Sequence, residues 1–113
     1  MWQSKMDAVG ILEVFGMTAA YMAGDAGCKA GNVTIEAMDK NKPAKAETLP
    51  VPLLVSIKFR GSVEDIRSAM EAAKAAALKV SGIYSEHIIA RPDTETEKML
   101  EISCLGKYRP MET

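Results

Sequence analysis

Hydrophobic and polar positions alternate with two different periods along the chain. From Ala8 to Phe15 the run AVGILEVF is apolar except at Glu13. It is too short for a typical helix and rich in Val, Ile and Phe, which predicts a strand ended by Gly16. Residues 18–30, TAAYMAGDAGCKA, place Ala19, Ala20, Ala23, Ala26 and Gly27 at helical spacing. Thr18 is positioned to cap that helix, and Gly31 to stop it in a left-handed conformation. Gly24 and Gly27 each cost about 1 kcal/mol relative to Ala in a helix interior. Close approach to a sheet would justify that cost. Residues 32–39, NVTIEAMD, return to a period of two, with Val33, Ile35 and Ala37 on one face and Thr34, Glu36 and Met38 on the other. Residues 53–60, LLVSIKFR, repeat the pattern, with Val55, Ile57 and Phe59 on one side.

The clearest helix is SVEDIRSAMEAAKAAALKV, residues 62–80. Ser62 with Asp65 three positions on approximates a capping box. Glu64 and Asp65 suit the positive end of the helix dipole, and Lys79 the negative end. Val63, Ile66, Met70, Ala73, Ala77 and Val80 form one apolar stripe. A last strand, residues 84–90, is stopped by Pro92, and TETEKMLEI predicts a short helix. The order β-α-β-β-α-β predicts an α+β, ferredoxin-like fold. Right-handed crossovers then put both helices on one face of a four-stranded antiparallel sheet. We expect an N-terminal arm over residues 1–5, one domain over 6–92, and a short C-terminal helix and tail over 93–113.

Composition narrows the function. A chain of 113 residues, 48% hydrophobic and 26% charged, suits one folded domain. Only 5% is aromatic, so the core rests on aliphatic, methionine and alanine packing. A net charge of −1 argues against a nucleic-acid partner. No apolar run approaches the ~20 residues of a membrane span. MWQSKMDAVG lacks the plan of a secretory signal, so a cytoplasmic location is expected. Cys28 and Cys104 form no metal-ligand pattern and read as ordinary thiols, the first packed and the second on a tail. The lone histidine, His87, is a general base or ligand on one reading and a surface or interface residue on the commoner one. Glu13 inside an apolar strand needs a hydrogen bond if buried; it reads as an active-site acid or, more commonly, as a structural residue or one simply exposed near the sheet end. Glu95, Glu97, Lys98 and Glu101 read as a solvated helix face. No nucleophile elbow, phosphate loop or HExxH is present. A non-enzymatic protein without catalytic residues, metal or cofactor is expected.

Several stretches together resemble one family. DAVGILEVFGMTAAYMAGDAGCKAGNV, with Val14 and Gly16 in the first turn and Lys29 three residues before Asn32, is similar to the opening of single-domain, hexamer-forming bacterial microcompartment shell proteins. EHIIARPDTETEKML, with Ile89, Arg91, Pro92, Glu97, Lys98 and Leu100, is similar to that family's last strand and following helix. The alanine-rich second helix after Arg60-Gly61 also matches, and the likeness covers roughly residues 6–101. It implies a homohexameric disc that tiles with its own copies and other shell proteins around enclosed enzymes. It also implies that Lys29 lies at the disc edge against its copy, that Arg91 reaches across the same junction, and that Asn32 supports it. The residues alone would make Lys29 a solvated cation at a helix end and Arg91 a charge at a strand end.

The resemblance gives a role to the segment between the second and third strands, which in that family lines a central pore. Here Lys40, Asn41, Lys42, Pro43, Ala44 and Lys45 lead on to Pro50, Val51 and Pro52, a longer turn than the family's usual short, glycine-containing one. Its three prolines keep it out of the strands. Residues 40–52 hold three lysines and one glutamate, a net of +2. Six copies would bring about +12 to one axis, favouring anionic metabolites or phosphate. A subgroup associated with glycyl-radical-enzyme compartments carries a proline-rich loop with a cysteine that holds an iron–sulfur cluster. LPVPLL is similar to a cysteine-free version, and thiolates are the usual cluster ligands, so no cluster is expected. The alternatives are a small oligomeric ligand sensor of ferredoxin-like fold and a shell protein with a cluster on the axis.

Overall fold

The computed structural model describes residues 7–41 and 53–93, together with Thr96 and Met99. Strand β1 (Ala8–Phe15) leads through helix α1 (Met17–Ala30) to β2 (Thr34–Asn41); β3 (Leu54–Gly61) leads through α2 (Val63–Val80) to β4 (Ile83–Ile89). The four strands form one antiparallel sheet in the order β2-β3-β1-β4. This is the expected α+β arrangement. The arm over residues 1–5 lies outside the described residues. Of the short helix beyond Asp93, only Thr96 and Met99 are described, both helical. Asp93 Oδ1 accepts a bond from the Thr96 N–H at 2.9 Å, as an N-cap does.

Both helices cover one face of the sheet. A β-carbon on Gly10 of β1 would touch Ile66 and Met70 of α2, and one on Gly27 of α1 would sit 2.8 Å from the Phe59 ring of β3. Gly10 and Phe59 are paired in register, so they share a face. Leu12, Val14, Val55, Ile57 and Phe59 meet Ala19, Ala20, Ala23, Ile66, Met70, Ala73 and Ala77 there in one buried cluster. Each large aliphatic or aromatic side chain so buried contributes roughly 1.5–3 kcal/mol. The glycines of α1 are explained by this contact: a side chain at Gly27 would push the helix off the Phe59 ring, and one at Gly24 would crowd the ends of Ile35 and Met38.

The two helices begin differently. In α2 the Ser62 Oγ accepts from the Asp65 N–H at 3.1 Å, as its sequence predicts. In α1, Thr18 is not the cap. Gly16 is, at φ 91°, a left-handed value that favours glycine, and no side chain caps this end. At the other end, Gly31 is extended (φ −141°) rather than left-handed. Glycine is needed there because a β-carbon would collide with the Asp65 carbonyl of α2.

Strand β2 corrects another expectation. A bulge between Ile35 and Ala37 inserts one extra residue, Glu36. Ile35 and Met38, opposite by alternation, therefore both lie toward α1, beside Gly24. The face of the sheet away from the helices is polar at its centre, yet Asp39, Ser56, Lys58 and Arg60 are all buried. Lys58 pairs with Asp39 at 3.3 Å and Arg60 with Glu36 at 3.0 Å. Glu13 takes the structural role: its Oε1 accepts from Ser85 Oγ at 2.7 Å.

Candidate assembly surfaces at the two ends of the sheet

The register sorts the candidate residues by position. Thr34 pairs with Arg60, Ala8 with Gly61, and Val9 with Ile89. The start of β2, the end of β3, the start of β1 and the end of β4 therefore share one end of the sheet. Asn41, Leu54, Phe15 and Ile83 occupy the other end, where β2 and β3 enter their connection. Helix α1 runs from the second end back to the first.

Lys29, Asn32 and Arg91 all fall at the first end and are exposed. Lys29 stands in the last turn of α1, where its charge suits the helix dipole. Its Nζ lies 3.0 Å from Asp25 Oδ2, one turn earlier, and both side chains are largely exposed. Asn32 is tied down through its backbone: its N–H donates to Asp65 Oδ1 at 3.2 Å, while Asp65 Oδ2 accepts from Ser62 Oγ at 2.9 Å. One carboxylate thus holds the Ser62 hydroxyl that caps α2 and fixes the entry to β2. Arg60 adds a second tie, from Nη1 to the Asp7 carbonyl at 3.1 Å. Arg91 follows the end of β4 and is exposed.

At the second end, Lys40 is exposed and close to the end of β2, and the backbone of Asn41 pairs with Leu54. Lys42, Pro43, Ala44, Lys45, Pro50, Val51 and Pro52 lie outside the described residues. The far side of the mouth is held by the Gly16 N–H donating to the Leu53 carbonyl at 2.9 Å. Ser81 Oγ donates to the Phe15 carbonyl at 2.7 Å, and the Phe15 and Tyr84 rings meet edge to face at 6.0 Å.

His87 is an exposed residue of β4, opposite Ile11. Cys28 was expected to be packed but is exposed. Partial desolvation, and then the Asp25 charge, raise its thiol pKa above the usual value, which disfavours the thiolate. Cys104 lies outside the described residues. Among the described residues, no three His, Cys, Asp or Glu side chains come together as a metal site. No described helix is long and apolar enough to cross a membrane. One residue and one contact that matter here escaped the sequence reading. Asp25 was visible in principle, four positions before Lys29. The tie from Asp65 to Asn32 spans 33 positions and carries no local signal.

The pattern of the BMC domain matches residues 8–92. The chain belongs to the BMC-domain family. This BMC domain is 34% identical over 96 residues to the bacterial microcompartment shell protein PduA of Citrobacter freundii, covering 85% of this chain and 94% of that one. It is 33% identical over 97 residues to the carboxysome shell protein CcmK2 of Synechococcus elongatus, covering 84% and 86%. It is 30% identical over 101 residues to the shell protein EutM of Salmonella typhimurium, covering 89% and 96%. A crystal structure of a microcompartment protein from Desulfitobacterium hafniense superposes with a TM-score of 0.62 over 80% of this chain and 44% of that one, at 22% identity, a likeness of fold. The chain is a structural shell subunit of a bacterial microcompartment.

Proposed function

We propose that this shell subunit works as a six-fold ring. The β2–β3 connection gathers at the axis, and the opposite end of the sheet forms the rim. The observation that carries this reading is the strand register, which sends Lys29, Asn32 and Arg91 to one end and both roots of the connection to the other. A ring needs two different flanks on each copy, one to meet the other head to tail. The exposed large apolar residues suit that need. Tyr21, Met22 and Ile35 lie on α1 and β2, at one side of the strand order; Leu78, Val80, Tyr84 and Ile88 lie on α2 and β4, at the other.

At the rim, Lys29 buries its methylene stem while its ammonium bonds to carbonyls of the next disc. Arg91 offers a planar fork to several carbonyls at once, and Asn32 supports the junction. Discs joined this way tile with their own copies and with other shell proteins, and enclose enzymes in the cytoplasm. At the axis, the net +2 of residues 40–52 from each chain favours passage of small anions. Salt weakens that field over roughly 8 Å, less so inside a narrow mouth.

The test is Lys29→Ala. The variant should keep its ring mass and melting temperature yet lose extended sheets in electron micrographs. Sheets of unchanged size at unchanged concentration would remove Lys29 from the rim.

A further inference from the structure

We propose that Asp25 is the positioning residue for Lys29 at the seam between discs, an inference that rests on the rim role of Lys29 proposed above. Seating a lysine in a protein contact strips water from its ammonium, and such a charge is tolerated when paired and hydrogen-bonded. The pairing already exists in the single subunit. Asp25 Oδ2 lies 3.0 Å from Lys29 Nζ, one helical turn away, with the acid on the N-terminal side, the more favourable order for such a pair. Asp25 takes one of the three ammonium donors and leaves two for carbonyls of the neighbouring disc.

Charge at the seam points the same way. Each copy brings Lys29 and Arg91 to the same end of the sheet, so a junction of two copies gathers four cations. Like charges brought together across an interface oppose association. Among the acids at this end, which include Glu64 and Asp93, Asp25 is the one paired with Lys29, so it offsets charge where Lys29 needs it. The field of Asp25 already extends over this turn, since it acts on the neighbouring Cys28 thiol. For the isolated fold the pair matters little: exposed ion pairs of this kind have small effects on stability. That separation of roles makes the inference testable.

Sheet assembly by the full chain is followed by light scattering and electron microscopy, with ring mass and melting temperature measured alongside. At low salt, Asp25→Asn should raise the protein concentration needed for sheets about five- to tenfold, with mass and melting unchanged. Added salt should narrow that gap, because it screens the cations left facing each other. Asp25→Glu should restore assembly to within about twofold of the unmodified chain. Asp25→Asn combined with Lys29→Ala should behave as Lys29→Ala alone. Assembly of Asp25→Asn at or below the normal concentration would overturn the proposal, as would a deficit indifferent to salt. Normal sheets from Lys29→Ala would instead overturn the rim role itself, so the two failures are distinguishable.

Discussion

The two ends of this sheet are packed with different tightness. At the end holding Lys29, Asn32 and Arg91, the backbone is fixed by contacts between elements far apart in sequence. Asp65 of α2 holds the Asn32 N–H, Arg60 holds the Asp7 carbonyl, and Gly31 lies against the Asp65 carbonyl with no room for a β-carbon. The other end, at the mouth of the β2–β3 connection, is also tied across the sequence, Gly16 to Leu53 and Phe15 to Ser81 and Gly82, but its glycine is packed less tightly. A β-carbon on Gly82 would meet the Phe15 ring at 3.4 Å, an ordinary contact. In the proposed arrangement, rim contacts must match a copy of themselves in one register, so backbone placement there has to be reproducible. A segment proposed to line a pore would act through charge and width, and its length can vary without disturbing the sheet, since long surface insertions are tolerated thermodynamically.

Matched substitutions sharpen this contrast. Gly31→Ala should be the most damaging, at about 2–3 kcal/mol, because the new methyl group meets backbone rather than a movable side chain. For a domain of this size that lowers the melting temperature by about 10 °C or more. Asp65→Ala should come next, at about 1–2 kcal/mol, by removing the link between Ser62 and Asn32. It should also impair sheet assembly more than its melting deficit accounts for. At the other end, Gly82→Ala should change stability by roughly half a kcal/mol or less. Calorimetric melting would check all three, and a Gly82→Ala loss as large as that of Gly31→Ala would erase the contrast. Lys42→Glu with Lys45→Glu should have the smallest effect on the fold, leaving melting unchanged. It turns the net charge of residues 40–52 from +2 to −2, since one lysine and three glutamates remain. Binding of phosphate to the assembled protein, followed by calorimetry, should weaken; unchanged binding would place those lysines away from the axis.

The order of elements was legible because burial follows period. Helix α2 announces itself through its Ser62–Asp65 cap and the stripe of Ile66, Met70, Ala73 and Ala77, all buried save the cap. Val80, assigned to the same stripe, is exposed at the end of the helix. Gly24 and Gly27 signalled close packing correctly. The bulge at Glu36 was invisible because one inserted residue changes which face every later side chain takes, and nothing in TIEAMD marks the insertion. Lys58 and Arg60 look like surface residues in LVSIKFRG. They are buried beside acids supplied by β2, and only the sheet brings those partners together. The same holds for the proposed rim. Local pattern gave no reason to group Lys29 with Arg91, 62 positions apart; the resemblance grouped them, and the register puts them at one end.

Electron cryo-microscopy of sheets grown from the unmodified chain is the most direct test of this arrangement. Density should resolve six-fold discs with residues 41–53 around each axis and with Lys29 and Arg91 at the seams. Discs carrying residues 41–53 at their seams, or a chain that stays monomeric at every concentration and salt tried, would contradict it.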